Sequence, residues 1–109
     1  MRVNAVALPP QHTGKLWEME EPELSAAPVR VLVVDDHDVF RHGLAQLLRD
    51  EGIDVVAEAS SGAAGVRLAT ELQPDVVLMD LSMPGISGVE ATRAIVGGAA
   101  SSAVVVLTL

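Results

Sequence analysis

Three carboxylates at the ends of two apolar runs are the residues best placed to do chemistry in this sequence. Asp80 closes Val76-Val77-Leu78-Met79 and is followed at once by Leu81-Ser82-Met83-Pro84-Gly85, while Asp35 and Asp36 close Val31-Leu32-Val33-Val34. An apolar strand that stops on an acid and turns sharply presents that acid at its carboxyl end, where open α/β sheets keep their sites. Two such strand ends in one sheet deliver three acids to one place. Each acid also has a plainer reading. A lone aspartate at a strand end is ordinary turn chemistry, and Asp35-Asp36 suit the positive end of a following helix. The co-occurrence of the two runs favours chemistry at Asp80, Asp35 and Asp36 and leaves helix capping to Asp38. His37 is expected to be exposed and without a role, and His12 and His42 have no supporting partners in the sequence.

The surrounding pattern supplies the frame that must hold these acids. Val29 to Val34 is too uniformly apolar for a strand with one wet face, so it is predicted to be buried on both sides, as central parallel strands are. Phe40, Leu44, Leu47 and Leu48 recur at helical spacing and predict a helix that starts near Asp38 and stops at Gly52. Ile53 to Ala59 is a weaker strand, placed at a sheet edge by Asp54 and Glu58. Ser60-Ser61 can cap a second helix with Gly65, Val66, Leu68, Ala69 and Leu72 inward, and Pro74 forbids its continuation. The run Ser60-Ser61-Gly62-Ala63-Ala64-Gly65 lacks the lysine of a phosphate loop, so capping is its reading. A strand from Asp75 to Asp80 follows. A short helix from Gly88 to about Val96 packs through Val89, Ala91, Thr92 and Ile95 and is ended by Gly97-Gly98. A buried strand from Ala103 to Leu107, with Thr108 at its end, closes the series. The alternation β-α-β-α-β-α-β predicts a doubly wound parallel sheet with right-handed crossovers.

Bulk properties narrow the function classes. A chain of 109 residues accommodates one small domain and a tail. There is no cysteine, so disulfides and thiolate metal sites are excluded and the cytoplasm is the default compartment. No apolar run approaches the roughly 20 residues that span a bilayer, so no membrane role is expected. The apolar start from Val3 to Leu8 is interrupted by Asn4 and ended by Pro9-Pro10, too early for a signal peptide. Residues 1–28 hold Pro9, Pro10, Pro22 and Pro28 with an acidic patch, Glu18, Glu20, Glu21 and Glu23. They read as a disordered leader in which Trp17 is simply solvated. The net charge is -8 overall, and from Val29 onward five arginines against eleven acids leave -6. Direct nucleic-acid binding by this chain is therefore not expected, because phosphate contacts require clustered cations.

Val31-Leu32-Val33-Val34-Asp35-Asp36-His37 together with Pro74-Asp75-Val76-Val77-Leu78-Met79-Asp80-Leu81-Ser82-Met83-Pro84-Gly85 resembles the receiver domain of two-component response regulators. It is similar in particular to receivers that precede a helix-turn-helix DNA-binding domain of the LuxR type. The likeness runs from about Val29 to Leu109. It implies a flavodoxin-like sheet of order 2-1-3-4, counting strands from Val29. It also implies a phosphoacceptor role for Asp80, with a sensor histidine kinase as phosphoryl donor and Mg²⁺ as cofactor. Asp36 and Asp80 would touch the metal, Asp35 would act through a bound water, the Ser82 main-chain carbonyl would complete the protein's share, and Thr108 would be the switch hydroxyl. Such a set is chemically apt, since aspartate is a weak nucleophile and Mg²⁺ prefers oxygen ligands while retaining waters.

Family members continue with a further helix, a fifth strand that ends in a catalytic lysine, an aromatic switch residue and a last helix. The only lysine here is Lys15, before the first strand of the domain, and there is no tyrosine. The expectation is thus a receiver incomplete at its carboxyl end. Its Ala103–Leu107 strand would become an exposed edge, prone to self-association or homodimer formation. The alternative reading is a non-phosphorylated interaction module. A phosphohydrolase of the haloacid dehalogenase type is disfavoured because Asp80-Leu81-Ser82 lacks a second acid two residues on.

Overall fold

Val31 to Val34 are all buried and form an interior strand of the sheet in the computed structural model, which describes residues 4–8, 27–98 and 100–108. The elements in chain order are β1 (Asn4–Leu8), β2 (Arg30–Val34), α1 (Asp38–Asp50), β3 (Asp54–Ala59), α2 (Gly62–Leu72), β4 (Val76–Asp80), α3 (Gly88–Gly97) and β5 (Ala103–Thr108). The sheet order is β1-β5-β4-β2-β3, with β2 to β5 mutually parallel. This is the doubly wound receiver arrangement, the predicted 2-1-3-4 order being realised as β3-β2-β4-β5.

Alternation along the strands sorts two cores. Leu32, Val34, Val77, Met79, Val104 and Val106 face Ala69 of α2 and Ala91 and Ile95 of α3. Val31, Val33 and Val55 face Ala45 of α1, with Leu44, Leu48, Val76 and Leu78 packed around them. A buried residue on a both-sided strand contributes to one layer or the other, which is why these strands read as continuous apolar runs.

Two helix details differ from expectation. Arg41 and Ala45, not Phe40 and Leu47, are the buried residues of α1, and Leu47 is largely exposed. The helix packs through the small Ala45, and Arg41 turns inward to donate to Glu58 and the Asp35 carbonyl. Phe40, Leu44 and Leu47 then line an open apolar groove with Val39 and Gly43. In α3, Val89 is exposed, and Gly88 takes its expected place against the sheet. The cap of α2 is where the sequence placed it, and α3 has one of the same kind. Ser61 accepts from the Ala64 N–H at 3.2 Å, and Ser87 accepts from the Glu90 N–H at 3.1 Å. Gln73 ends α2 in the left-handed conformation (φ 49°). Arg30 donates to the Leu72 and Gln73 carbonyls at 2.9 Å each, satisfying the negative end of that helix.

The larger correction concerns the amino-terminal leader. Its residues 4–8 form β1, which pairs antiparallel with β5 in the register Asn4↔Thr108 to Leu8↔Val104. The β5 edge expected to be exposed is therefore covered by residues 4–8, and β1 is the outermost strand on that side among the described residues. Local pattern did not reveal this strand, because it is short, Ala-containing and gains its hydrogen bonds from a partner about a hundred residues away. Residues 1–3 and 9–26, including Lys15 and Trp17, lie outside the described residues. Deleting residues 1–8 should cost roughly 1–3 kcal/mol, a few backbone hydrogen bonds at about 0.5–1.5 each. It should also cause concentration-dependent association through β5, measured by sedimentation velocity and urea melts. An unchanged monomer with an unchanged midpoint would show that β1 protects nothing.

Candidate functional site

The acids meet at the carboxyl end of the sheet because β2 and β4 are parallel neighbours, with Val34 opposite Met79. Asp35 is fixed from three sides. Its N–H donates to the Ala59 carbonyl at 3.0 Å, its carbonyl accepts from Arg41 Nη1 at 2.8 Å, and its Oδ1 accepts from the His37 N–H at 2.7 Å. That last bond closes a turn, so the helix begins with His37 at the N-cap position and no side-chain cap. Asp38, expected as the cap, is instead the first helical residue and pairs with Arg41 Nη1 at 2.9 Å.

Asp80 is held by the loop that follows it. Its Oδ1 accepts from both the Ser82 N–H (3.0 Å) and the Ser82 hydroxyl (2.9 Å). Met83, buried at 5% exposure, anchors the loop into the α2/α3 core, and Gly85 turns it at φ 77°. The Asp80 side chain is 7% exposed, Asp35 6% and Asp36 26%. Asp80 Oδ2 and Asp36 Oδ1 are buried and receive no hydrogen bond. Buried carboxylate oxygens without donors are costly, and a bound cation is the ordinary remedy. Ligand atoms of Asp35, Asp36, His37 and Asp80 all lie within 4.8 Å of one another, close enough for one ion. The donor set suits Mg²⁺, a hard cation that takes carboxylate oxygens.

Two residues that the sequence left without a role belong to this site. His37 is 60% exposed, yet its Nδ1 lies 3.0 Å from Asp35 Oδ1, 3.1 Å from Asp36 Oδ1 and 3.9 Å from Asp80 Oδ2. The hydrogen bond to Asp35, then the charges of Asp36, Asp35 and Asp80, raise its pKa above the usual 6.5, against a smaller opposing effect of desolvation. Arg41 ties the Asp35 carbonyl to Glu58, whose Oε1 it reaches at 3.2 Å. The sequence signal for both was adjacency: a histidine directly after two acids, and a basic residue one turn into the helix they precede. His42, expected to be unpartnered, has its Nδ1 2.7 Å from Glu58 Oε1, whereas His12 lies outside the described residues.

Replacing Arg41 by Met keeps the bulk but leaves the buried Asp35 carbonyl without its donor. A loss of about 2 kcal/mol is expected, in the range for hydrogen bonds to charged groups. Urea denaturation measures it, and an unchanged midpoint would show that water replaces the guanidinium.

Thr108 ends β5 one residue beyond Leu107, which pairs with Asp80 across the sheet. This places its backbone beside the acid-bearing strand end. Ser61 is confined to its cap, so the Ser-Gly run of α2 is structural.

Comparison with known proteins decides what this arrangement is. Residues 31–109 match the family described as the response regulator receiver domain. The chain belongs to that family. This receiver is 51% identical over 81 residues to the transcriptional regulatory protein LiaR of Bacillus subtilis, covering 73% of this chain and 38% of LiaR. Among solved structures, it is similar to the signal receiver domain of the putative response regulator NarL from Mycobacterium tuberculosis. That match has a TM-score of 0.67 and 39% identity, covering 70% of this chain and 62% of that one. It is also similar to the receiver domain of the sensor histidine kinase PA1611 from Pseudomonas aeruginosa PAO1, solved with a magnesium ion coordinated in its active site cleft. Here the TM-score is 0.62 and the identity 31%, covering 69% and 61% of the two chains.

The receiver is a phosphoacceptor module of two-component signalling rather than a conventional enzyme, and receivers of this family are phosphorylated by histidine kinases. Its relatives include transcriptional regulators, and the chain spans less than two fifths of LiaR. Among the described residues, no helix is long and apolar enough to cross a membrane.

Proposed function

We propose that Asp80 of this receiver, in the cytoplasm, accepts a phosphoryl group from a phosphohistidine on a sensor histidine kinase, and that this controls a DNA-binding output in transcription. The observation that carries the reading is Asp80 Oδ2, a buried carboxylate oxygen without a donor, set among further acids at a strand end. In the transfer, the bond from Asp80 Oδ2 to phosphorus forms as the phosphorus–nitrogen bond of the donor breaks. The electron pair stays on the imidazole nitrogen of the donor, which takes a proton from solvent. Asp80 Oδ1 accepts two bonds from Ser82, which fix the orientation of the carboxylate.

Asp36, Asp80 and the Ser82 main-chain carbonyl would hold Mg²⁺ directly, with Asp35 acting through a water. Bound there, Mg²⁺ supplies the positive charge that lets a carboxylate approach a phosphoryl group. Thr108 is the switch residue of this reading, its hydroxyl following the phosphoryl oxygens and changing the surface beside β5. Incubating the chain with Mg²⁺ and an acyl phosphate donor, then mapping the label by peptide mass spectrometry, tests the assignment. One phosphoryl group on the peptide holding Asp80 is expected. Label on Asp35, Asp36 or a serine instead would overturn it.

A further inference from the structure

The imidazole of His37 has no place in the reading above, yet its Nδ1 points into the acid cluster. It is 3.0, 3.1 and 3.9 Å from oxygens of Asp35, Asp36 and Asp80. One nitrogen carries at most one proton and can satisfy one oxygen, here Asp35 Oδ1. Asp36 Oδ1 and Asp80 Oδ2, buried on the same centre, remain without donors. Donor atoms on one six-coordinate ion lie roughly 3 to 4 Å apart for bond lengths near 2.1 Å, which is the spacing of His37 Nδ1 from the three carboxylates. Ligation through Nδ1 takes the tautomer with its proton on Nε2, so the bond to Asp35 Oδ1 is given up when the ion binds.

We propose that His37 is a protein ligand to the divalent cation at this site, and that it tilts the site from Mg²⁺ toward metals that accept imidazole, such as Co²⁺, Mn²⁺ or Zn²⁺. Carboxylates alone suit Mg²⁺, whereas a nitrogen donor strengthens binding in the order that rises through the first transition series. The inference rests on reading the acid cluster as a divalent-cation site, and it adds to that reading which cation the site prefers.

Calorimetric titration of the wild-type chain and of His37→Asn with Co²⁺ and with Mg²⁺, followed in parallel by Co²⁺ visible absorption, tests it. His37 is exposed, and the shorter amide at position 37 keeps the backbone N–H that closes the turn. Co²⁺ affinity should fall at least about tenfold in His37→Asn, since even indirect changes around a metal cost about 10–100-fold. The absorption bands of a nitrogen-ligated ion should be lost with it. Mg²⁺ affinity should change by less than about threefold, because Mg²⁺ readily replaces a ligand by water. Unchanged Co²⁺ binding and spectrum would overturn the proposal, as would tighter Mg²⁺ binding by His37→Asn, which would make the imidazole an occupant of the site and not a ligand. Should neither metal bind the wild type, or Asp36→Asn bind Mg²⁺ as tightly as wild type, the cation-site reading itself would fall.

Discussion

Asp80→Asn is expected to abolish phosphoryl transfer while leaving the fold as stable as before or slightly more so. The two effects separate because the two carboxylate oxygens have different tasks. Oδ1 accepts both bonds from Ser82, and an asparagine oxygen can accept them equally well. Oδ2 is buried without a donor, and in the function proposed above it is the oxygen that attacks phosphorus. Replacing it by an amide nitrogen removes the nucleophile and one negative charge from a crowded acid cluster. The new N–H groups lie near the carboxylates of Asp35 and Asp36, so they have acceptors where the oxygen had no donor. Labelling should therefore fall by at least about a thousandfold, a conservative figure beside losses near a millionfold for other lost nucleophiles. Stability should hold or rise by about 1 kcal/mol, the lower end of the cost of an unsatisfied buried group. Mass spectrometry after incubation with an acyl phosphate and Mg²⁺ reads the first effect, and a thermal melt reads the second. Mg²⁺-dependent label persisting in Asp80→Asn would refute the assignment, and a variant that unfolds would show that the charge itself holds the loop.

How far this site could be read in advance depends on whether each interaction is local in the chain. The runs ending in Asp36 and Asp80 each declare a buried strand and its acid within a few residues, and parallel pairing of β2 with β4 does the rest. Ser61 and Ser87 cap helices by bonds that span three residues, again within reach of pattern. Arg41 is different. Its burial depends on Glu58, seventeen residues away on β3, and nothing in the helical spacing of Phe40, Leu44 and Leu47 announces that a charged residue will take the inner face. His37 was legible as a residue and not as a position, because a turn closed by Asp35 decides where the ring points. The strand β1 was illegible for the same reason on a larger scale: five residues acquire strand geometry only by pairing with β5 at the other end of the chain.

Gly88→Ala should be the most damaging small substitution in the domain, although it adds only a methyl group at a helix position. Built on the backbone, a Cβ at residue 88 would collide with the Asp80 carbonyl oxygen and lie 2.5 Å from Leu81 Cα. Both obstacles are main chain, so no rotamer change relieves them, in contrast to Gly65, where a Cβ would meet the Val34 side chain at 2.9 Å. The first turn of α3 must move away from the end of β4, or the end of β4 must move away from the sheet. Either shift displaces the segment that holds Asp80 and the Ser82 donors. Overpacking costs about 1–3 kcal/mol where side chains can yield, so about 3 kcal/mol or more is expected here. For a domain of this size that is a fall of roughly 12 °C or more in Tm. Gly43→Ala is the control: it sits inside α1 with nothing within 4 Å of its Cβ position, and should stabilise by about 0.5–1 kcal/mol. The pair makes the origin of the effect plain, since the same methyl group is added in both. If Gly88→Ala melts with the wild type, the approach of α3 to β4 is looser than the structure has it. The acid-bearing loop would then be held by Met83 and Ser82 alone.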